Sequence, residues 1–202
     1  MGAVADAWAR IDGWLARHAP DSAAVLAPPA RREDVRAAEE ATGLAFPPEL
    51  VESLLCHDGL LEWANIFPGK PPLPVARIVA HWEMCCAELE DDAEEFLEEG
   101  EEPWWHPLWL PFAESDGDSQ IIDLRPGPGY GRLGSAAHDD AGSFLNAWPS
   151  LGAYLTETAD ALETGGPVRV RHPYLIAGRE LWWTFAGETE LNGRPLRPAP
   201  PN

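Results

Sequence analysis

The spacing of apolar residues changes from a helical period to a strand period at Pro103, and this change constrains the fold class most. Before it, Val4, Trp8, Ile11 and Leu15 recur at intervals of three and four residues, as on one face of an amphipathic helix. After it, short apolar runs alternate with turn signals. We therefore expect an α+β fold, with an α-rich N-terminal part and a central, mostly antiparallel sheet packed by several helices.

Further helices are predicted from their ends as well as from their apolar faces. Glycine suits the left-handed cap that closes a helix, and proline suits the first turn. These signals place helices from Arg31 to Gly43, from Pro48 to Gly59, from Trp82 to Gly100 and from Trp148 to Gly165. Pro149 fits the last of these only in the first turn, because proline has no N–H to donate inside a helix.

Strands are predicted where short apolar runs lie between turn signals. Residues 73–79 form an edge strand in this interpretation, since Pro74 could not donate to a central ladder. The other predicted strands are 109–113, 119–124 and 130–135, followed by a hairpin of 168–174 with 181–185. Asp116-Gly117-Asp118 is typical of a turn between two of them.

The length of 202 residues suits one domain, which we expect to span 1–187 with a C-terminal hairpin at about 167–186. Residues 188–202 are rich in proline and polar side chains, and predict a mobile tail. The first 18 residues lack the apolar stretch of a signal peptide, and no apolar run is long enough to span a bilayer. Three cysteines, two of them adjacent, indicate reduced thiols and a cytoplasmic location.

The net charge of −20 is concentrated in one segment. Residues 83–102 hold eleven acidic side chains and no basic one, which is more than half of that charge. A surface of this kind repels nucleic acid and anionic lipid and attracts basic partners from a distance. The charge therefore argues against nucleic-acid and membrane binding and in favour of a protein partner with a basic surface.

Several weak motifs occur in an order that resembles a known family. Leu44-Ala45-Phe46-Pro47-Pro48-Glu49-Leu50 follows the helix that ends at Gly43, and Leu54-Leu55-Cys56-His57-Asp58-Gly59 follows in turn. Trp109 to Ala113, Ile121 to Leu124, Gly131 to Ser135 and the helix from Phe144 to Leu162 come later. Together, over about residues 5 to 165, they are similar to the Smi/Knr branch of the SUKH superfamily, named for fungal cell wall assembly regulators.

The resemblance implies an α+β fold whose members share a structure and differ in their partners. Many bacterial members are regarded as immunity proteins that neutralise toxins, often nucleases, and fungal members as regulatory scaffolds. The family has no recognised shared catalytic residues, so the resemblance implies a protein that is not an enzyme and needs no cofactor.

The acidic helix is the strongest candidate for a partner-binding site. Acidic side chains four residues apart on a helix repel each other, which costs roughly 0.2–0.5 kcal/mol per pair, and no lysine relieves this repulsion. Mimicry of a polyphosphate would explain the pattern, and a solvated face that confers solubility is the alternative. The candidate residues are Glu88, Glu90, Asp91, Asp92, Glu94, Glu95, Glu98 and Glu99.

A tryptophan-rich segment follows directly. Glu101 and Glu102 precede Trp104 and Trp105, and Trp109 is the third tryptophan within six residues. One short strand cannot bury all three on one face, because alternate side chains point to opposite sides. We therefore add Glu101, Glu102, Trp104 and Trp105 to the predicted partner-binding set. The alternative is that Trp109 and one neighbour belong to the core.

Metal-binding and nucleophilic sites are disfavoured by spacing. His81, Cys85 and Cys86 lack the C-x-x-C and H-x-x-x-H patterns of zinc sites, and Asp116, Asp118 and Asp123 lack the closing glutamate of a calcium loop. Cys56 and His57 are adjacent on a helix and point about 100° apart, so a nucleophile–base pair is awkward, and His138 is the other possible base. No metal site is predicted.

The sequence thus favours an immunity-type protein that uses the acidic helix and the nearby tryptophans to cover a basic toxin. A non-catalytic regulatory scaffold in cell wall or stress physiology is the alternative. An enzyme or small-ligand sensor, with a pocket between sheet and helices, is a third class. The patterns make no prediction of an oligomeric state.

Overall fold

The computed structural model describes residues 2–89 and 101–202, and within these ranges the chain forms six helices and two antiparallel sheets. The α+β class is confirmed, with two sheets where one central sheet is expected. The helices are α1 (Ala3–His18), α2 (Pro20–Ala24), α3 (Arg32–Thr42), α4 (Pro48–Leu54), α5 (Val75–Ala87) and α6 (Leu151–Thr164). The strands are β1 (Trp109–Ser115), β2 (Asp118–Asp123), β3 (Leu133–Ala136), β4 (Arg171–Ile176), β5 (Glu180–Phe185), β6 (Glu190–Leu191) and β7 (Arg194–Pro198).

The helices with clear sequence signals form where they are predicted. The apolar stripe of α1 is buried, and α3 ends at Thr42 with Gly43 as its cap, whose φ of 68° is the left-handed conformation that favours glycine. Helix α4 is shorter than predicted and ends at Leu54. Helix α6 begins after Ser150, whose hydroxyl accepts a hydrogen bond from the Ala153 N–H, so Pro149 precedes the helix.

The predicted strand at residues 73–79 is wrong, because residues 75–79 form the first turns of α5. Val75, Ile78 and Cys85 lie buried on one face of the helix, a spacing that a strand cannot produce. The Asp58 carboxylate accepts a hydrogen bond of 2.7 Å from the Val75 N–H and so satisfies an otherwise free donor of the first turn. The helix predicted from Trp82 to Gly100 is observed as far as Ala87, and the prediction is wrong for Glu88 and Leu89, which follow the end of α5 as non-helical chain. The rest of that prediction, residues 90–100, lies outside the described residues.

The first sheet has the order β1-β2-β3, and both of its hairpin pairings are antiparallel as predicted. Both outer strands are covered by other backbone. The Leu73 N–H donates to the Phe112 carbonyl along β1, and Ser135 of β3 exchanges hydrogen bonds with Ser143. The sheet therefore presents few free backbone groups to another chain.

The second sheet has the order β5-β4-β7-β6 and includes residues for which the sequence predicts a mobile tail. The β4–β5 hairpin is the predicted one, and β7 pairs with β4 on its other side. Asn192 and Gly193 form the two-residue turn between β6 and β7, both with positive φ. Such a turn matches the twist of a hairpin, and Asn-Gly is its usual sequence.

The described residues form three sets of buried side chains, of which one, with Tyr174, Ile176 and Leu196, lies on the second sheet. The main core lies between α1, α4 and α6 and the inner faces of the two sheets. A smaller cluster around Trp105 and Trp109 packs the end of α5 against the first sheet. None of the helices within residues 2–89 and 101–202 has the length and apolar character needed to cross a bilayer.

The pairing of β7 can be tested with two leucines of different burial. Leu196 of β7 is 8% exposed, whereas Leu145 in a loop is 82% exposed. We expect Leu196→Ala to lower the free energy of unfolding by about 2 kcal/mol or more, because it removes buried apolar volume. Leu145→Ala should change it by less than about 0.5 kcal/mol. Urea denaturation of both variants measures this difference, and equal effects would indicate a tail that does not pack.

Candidate partner-binding surface

The predicted partner-binding residues fall into three groups in the structure. Glu88 is exposed at the C-terminal end of α5. Residues 90–100, which include Glu90, Asp91, Asp92, Glu94, Glu95, Glu98 and Glu99, lie outside the described residues. Glu101 is exposed, Glu102 and Trp104 are half-buried, and Trp105 is buried.

The residues on either side of 90–100 meet at one tryptophan cluster, which consists of Trp82, Trp104, Trp105 and Trp109. Leu89, after the end of α5, packs against this cluster. Trp104, on the other side of residues 90–100, is one of its members. The Trp82 indole donates a 3.0 Å hydrogen bond to the Pro107 carbonyl and joins the two sides directly. The described residues on the two sides of 90–100 therefore lie against the same cluster.

Trp105 belongs to the core rather than to a surface open to a partner. It is 2% exposed and contacts the fully buried Trp109 edge to face, with ring centroids 6.1 Å apart. This arrangement corresponds to the alternative from the sequence, in which Trp109 and one neighbouring tryptophan belong to the core. Trp104 is the member of the predicted pair that retains exposed surface, and its indole donates to the His138 carbonyl at 3.1 Å.

An ion-pair network holds Glu102, the last residue of the acidic segment 83–102, in place. Asp123, at the end of β2, is 2% exposed and accepts hydrogen bonds from the guanidinium groups of Arg125 and Arg132. Arg125 also pairs with Glu102 at 2.7 Å. Burial by itself would raise the pKa of Asp123, but the hydrogen bonds from the two arginines outweigh it and lower that pKa. The network thus fixes Glu102 to the first sheet.

The loop of residues 137–146 contacts the chain just after Glu102. The Gly142 N–H donates to the Pro103 carbonyl at 2.8 Å, and a Cβ at Gly142 would collide with the Trp109 ring. The His138 ring bonds to Asp118 at 2.8 Å, and Lys70 contacts the same carboxylate at 3.3 Å. These contacts fix the loop at the tip of the β1–β2 hairpin.

This loop adds negative charge next to Trp104. Asp139 and Asp140 are exposed, and the loop holds no lysine or arginine. We call the exposed residues Glu88, Glu101, Asp139 and Asp140, together with Trp104, the acidic surface. Its residues come from α5, from the segment before β1 and from the loop after β3, so the sequence alone indicates only part of it.

The cysteine–histidine pairs considered in the sequence do not form activated thiols. Both ring nitrogens of His57 are engaged away from Cys56, with the Ala27 carbonyl at 2.8 Å and the Asp12 carboxylate at 3.1 Å. Burial raises the pKa of the Cys56 thiol, so it stays protonated at neutral pH. Hydrogen bonds to Asp12 and Ala27 raise the pKa of His57 despite its burial.

A buried histidine links α5 to the first sheet. His81 bonds to the Ser119 hydroxyl at 2.6 Å, and the Cys85 sulfur lies 3.7 Å from the same ring nitrogen. Burial lowers the pKa of His81 and raises the pKa of Cys85 to about 12. Because Ser119 and His81 are both buried from solvent, this pair contributes to the packing of α5 against the first sheet. In the described ranges, no three His, Cys, Asp or Glu side chains are grouped to hold a metal ion.

Asp123→Asn tests the ion-pair network without changing side-chain volume. We expect the free energy of unfolding at neutral pH to fall by roughly 2–4 kcal/mol, because two arginines lose a buried charged partner. A lowered pKa stabilises the fold above the pKa of the unfolded chain, so the deficit should shrink as the pH falls through the folded pKa of Asp123. The control Asp160→Asn affects an exposed partner of Arg10 and should cost less than about 1 kcal/mol.

His138 gives a pH-dependent signal at this surface. Its hydrogen bond to Asp118, assisted by the charge of Asp139, raises its pKa. The protonated ring therefore stabilises the loop below the ordinary histidine pKa, and this contribution is lost as the pH rises through the raised value. An NMR titration of the imidazole should show a lower pKa in Asp118→Asn than in the unmodified chain. An unchanged pKa would contradict the assigned pairing.

Comparison with known proteins agrees with the resemblance seen in the sequence. The model of the SMI1/KNR4 family (SUKH-1) matches residues 29–157, nearly two thirds of the chain. KNR4/SMI1 homologs of Kluyveromyces lactis and Eremothecium gossypii are 43% and 40% identical to it over 53 residues, or 26% of this chain. The matched segment spans 10% and 8% of those two proteins.

The family match includes α3 to β3, the first half of α6 and all residues of the acidic surface, and it leaves α1, α2 and the second sheet outside. Because the match extends over more than half of the chain, it identifies the family directly. This chain belongs to the SMI1/KNR4 family (SUKH-1).

Proposed function

We propose that this chain is a protein-binding module of the immunity type, which neutralises a toxin by covering its basic surface. Nucleases are one class of such toxins, because they carry basic grooves for nucleic acid. The observation that carries the proposal is the concentration of charge, with eleven acidic side chains and no basic one in residues 83–102. Membership of the SMI1/KNR4 family supports a binding role in general terms.

The arrangement of the flanking residues suits such a role. Glu101 and the exposed pair Asp139 and Asp140 extend the negative charge onto two separate parts of the chain. Attraction over a wide surface raises the rate of encounter with a basic partner and disfavours acidic ones. The acidic surface would therefore act first through its long-range field.

Rigidity around the tryptophan cluster would lower the cost of binding. Glu102 is fixed by Arg125, and Trp104 by its hydrogen bond to the His138 carbonyl. Side chains that are already ordered lose less entropy when a partner covers them. Trp104, half-buried beside exposed acids, has the character of an interface residue, since tryptophan is enriched among the residues that dominate binding energy.

A regulatory scaffold is the second candidate function. The two curated relatives are both fungal KNR4/SMI1 homologs, from the branch whose resemblance implies regulation of cell wall assembly. The gene's neighbours separate the candidates, because an adjacent toxin gene favours immunity. Co-expression and pull-down with toxins encoded beside the gene is the direct test. Capture of the toxin with loss of its activity supports immunity, and no capture favours the scaffold.

Charge reversal tests which surface binds. We expect Asp139→Lys with Asp140→Lys to slow association with the captured partner about tenfold at low salt, because rim charges act mainly on the rate of encounter. The difference should shrink at ~0.5 M salt, where screening is strong. Stopped-flow or surface plasmon resonance measurements over a salt series give the association rate at low salt and its change at high salt. Lysine at Asp91, Glu94 and Glu98 should act in the same direction.

A matched control keeps the change in net charge constant. Glu188→Lys with Glu190→Lys alters the chain by the same four charges on exposed residues at and before β6. This control should leave association near its original rate. If both double variants slow association equally, net charge rather than the acidic surface governs binding, and the assignment of this surface is wrong.

A further inference from the structure

A second exposed aromatic surface is formed by residues that do not belong to the acidic surface. Trp63, in the loop between α4 and α5, is 59% exposed, and Leu61 beside it is 67% exposed. Trp63 contacts the half-buried Trp182 of β5, with ring centroids 5.8 Å apart and planes tilted by 55°. Large apolar side chains grouped on a surface mark interaction sites more often than single ones do.

The loop that carries Trp63 is held firmly on both sides. The Asn65 side chain forms two hydrogen bonds with the backbone of Trp183, accepting from its N–H at 3.2 Å and donating to its carbonyl at 3.3 Å. The Leu61 N–H donates to the Val25 carbonyl at 2.9 Å. The exposed indole therefore belongs to an ordered loop, and a partner would find it in place.

A partner cannot readily recognise this surface by adding a strand to the edge of β5. β5 is an outer strand of the second sheet, but its N–H groups at Leu181 and Trp183 already donate to the side chains of Ser22 and Asn65. An added strand would have to displace both bonds. A partner would therefore recognise this surface through side chains that stack on the indoles of Trp63 and Trp182.

The charge at this surface favours a cationic side chain. Glu62 is exposed between Leu61 and Trp63, and within the described ranges it forms no ion pair. Arg179, directly before β5, pairs with Asp21, and Arg194 of β7 pairs with Glu180. The other arginine of β7, Arg197, lies opposite Leu175, one residue along β4 from the partner of Trp182, and so faces the other side of the sheet. The net charge of −20 also opposes docking of a second copy of this chain.

We propose that Trp63 and Trp182, with the carboxylate of Glu62, form a docking surface for an arginine side chain in a basic segment of a partner protein. A guanidinium group stacks on indole faces through its planar shape and is attracted by their π electrons. Trp63 lies inside the family-matched region, and Trp182 lies on the sheet outside it. This surface is independent of the acidic surface and of the proposed immunity role.

An NMR titration with a short peptide tests this surface directly. The probe is an acetylated, amidated pentapeptide with two arginines, SRGRS, added to the full chain while the indole N–H signals are followed. We expect the Trp63 and Trp182 signals to shift together, and Trp63→Ala to weaken the interaction at least fivefold. The lysine peptide SKGKS should bind several times more weakly, because lysine lacks the planar group.

Two controls separate stacking from general attraction. Tyr130→Ala removes an exposed ring between β2 and β3 and should leave the titration unchanged. Glu62→Gln should weaken binding about twofold and reduce its salt dependence. The proposal is overturned if no shift occurs up to 5 mM peptide, if only the Trp104 signal moves, or if Trp63→Ala binds as the unmodified chain does. Dimer formation lost in Trp63→Ala would likewise overturn it in favour of a second copy.

Discussion

The burial of Asp123 beneath two arginines is the interaction on which the rest of the first sheet and its surroundings depend. A buried carboxylate is costly unless its charge is neutralised and its oxygens are bonded, and Arg125 and Arg132 meet both needs. Those arginines also lie against the Trp109 and Phe144 rings. Because Glu102 neutralises the remaining positive charge, the network connects the end of β2, the β2–β3 turn and the segment after the acidic residues.

The parts of the fold that follow local rules could be predicted from the sequence. The stripe of α1, the cap at Gly43 and the hairpins β1–β2 and β4–β5 have their signals in neighbouring residues. The start of α5 depends instead on Asp58, 17 residues away, which receives the Val75 N–H, and short-range patterns contain no sign of this contact. The β6–β7 hairpin had a usable signal in Asn192-Gly193, which the proline-rich composition around it obscured.

The candidate sites divide in the same way. Acidic residues and tryptophans are visible by composition, so Glu101 and Trp104 could be predicted as part of a surface. The sequence leaves open that one neighbour of Trp109 is buried, but it does not identify Trp105 as that neighbour, because residues 103–108 are not a strand and strand alternation does not apply to them. The approach of Trp63 to Trp182 joins residues more than a hundred positions apart, and only the packing of the second sheet brings them together.

The two surfaces differ in the physics by which they would recognise a partner. A field of many like charges acts over about 10 Å in physiological salt and selects by sign, so it governs the rate of encounter. Stacking on a fixed pair of indoles acts only at contact and selects by shape, so it governs how long a complex lasts. A chain that presents both can be attracted to many basic proteins yet retain few of them. Specificity would then depend on the contact surface, to which the second sheet, outside the family-matched region, contributes Trp182.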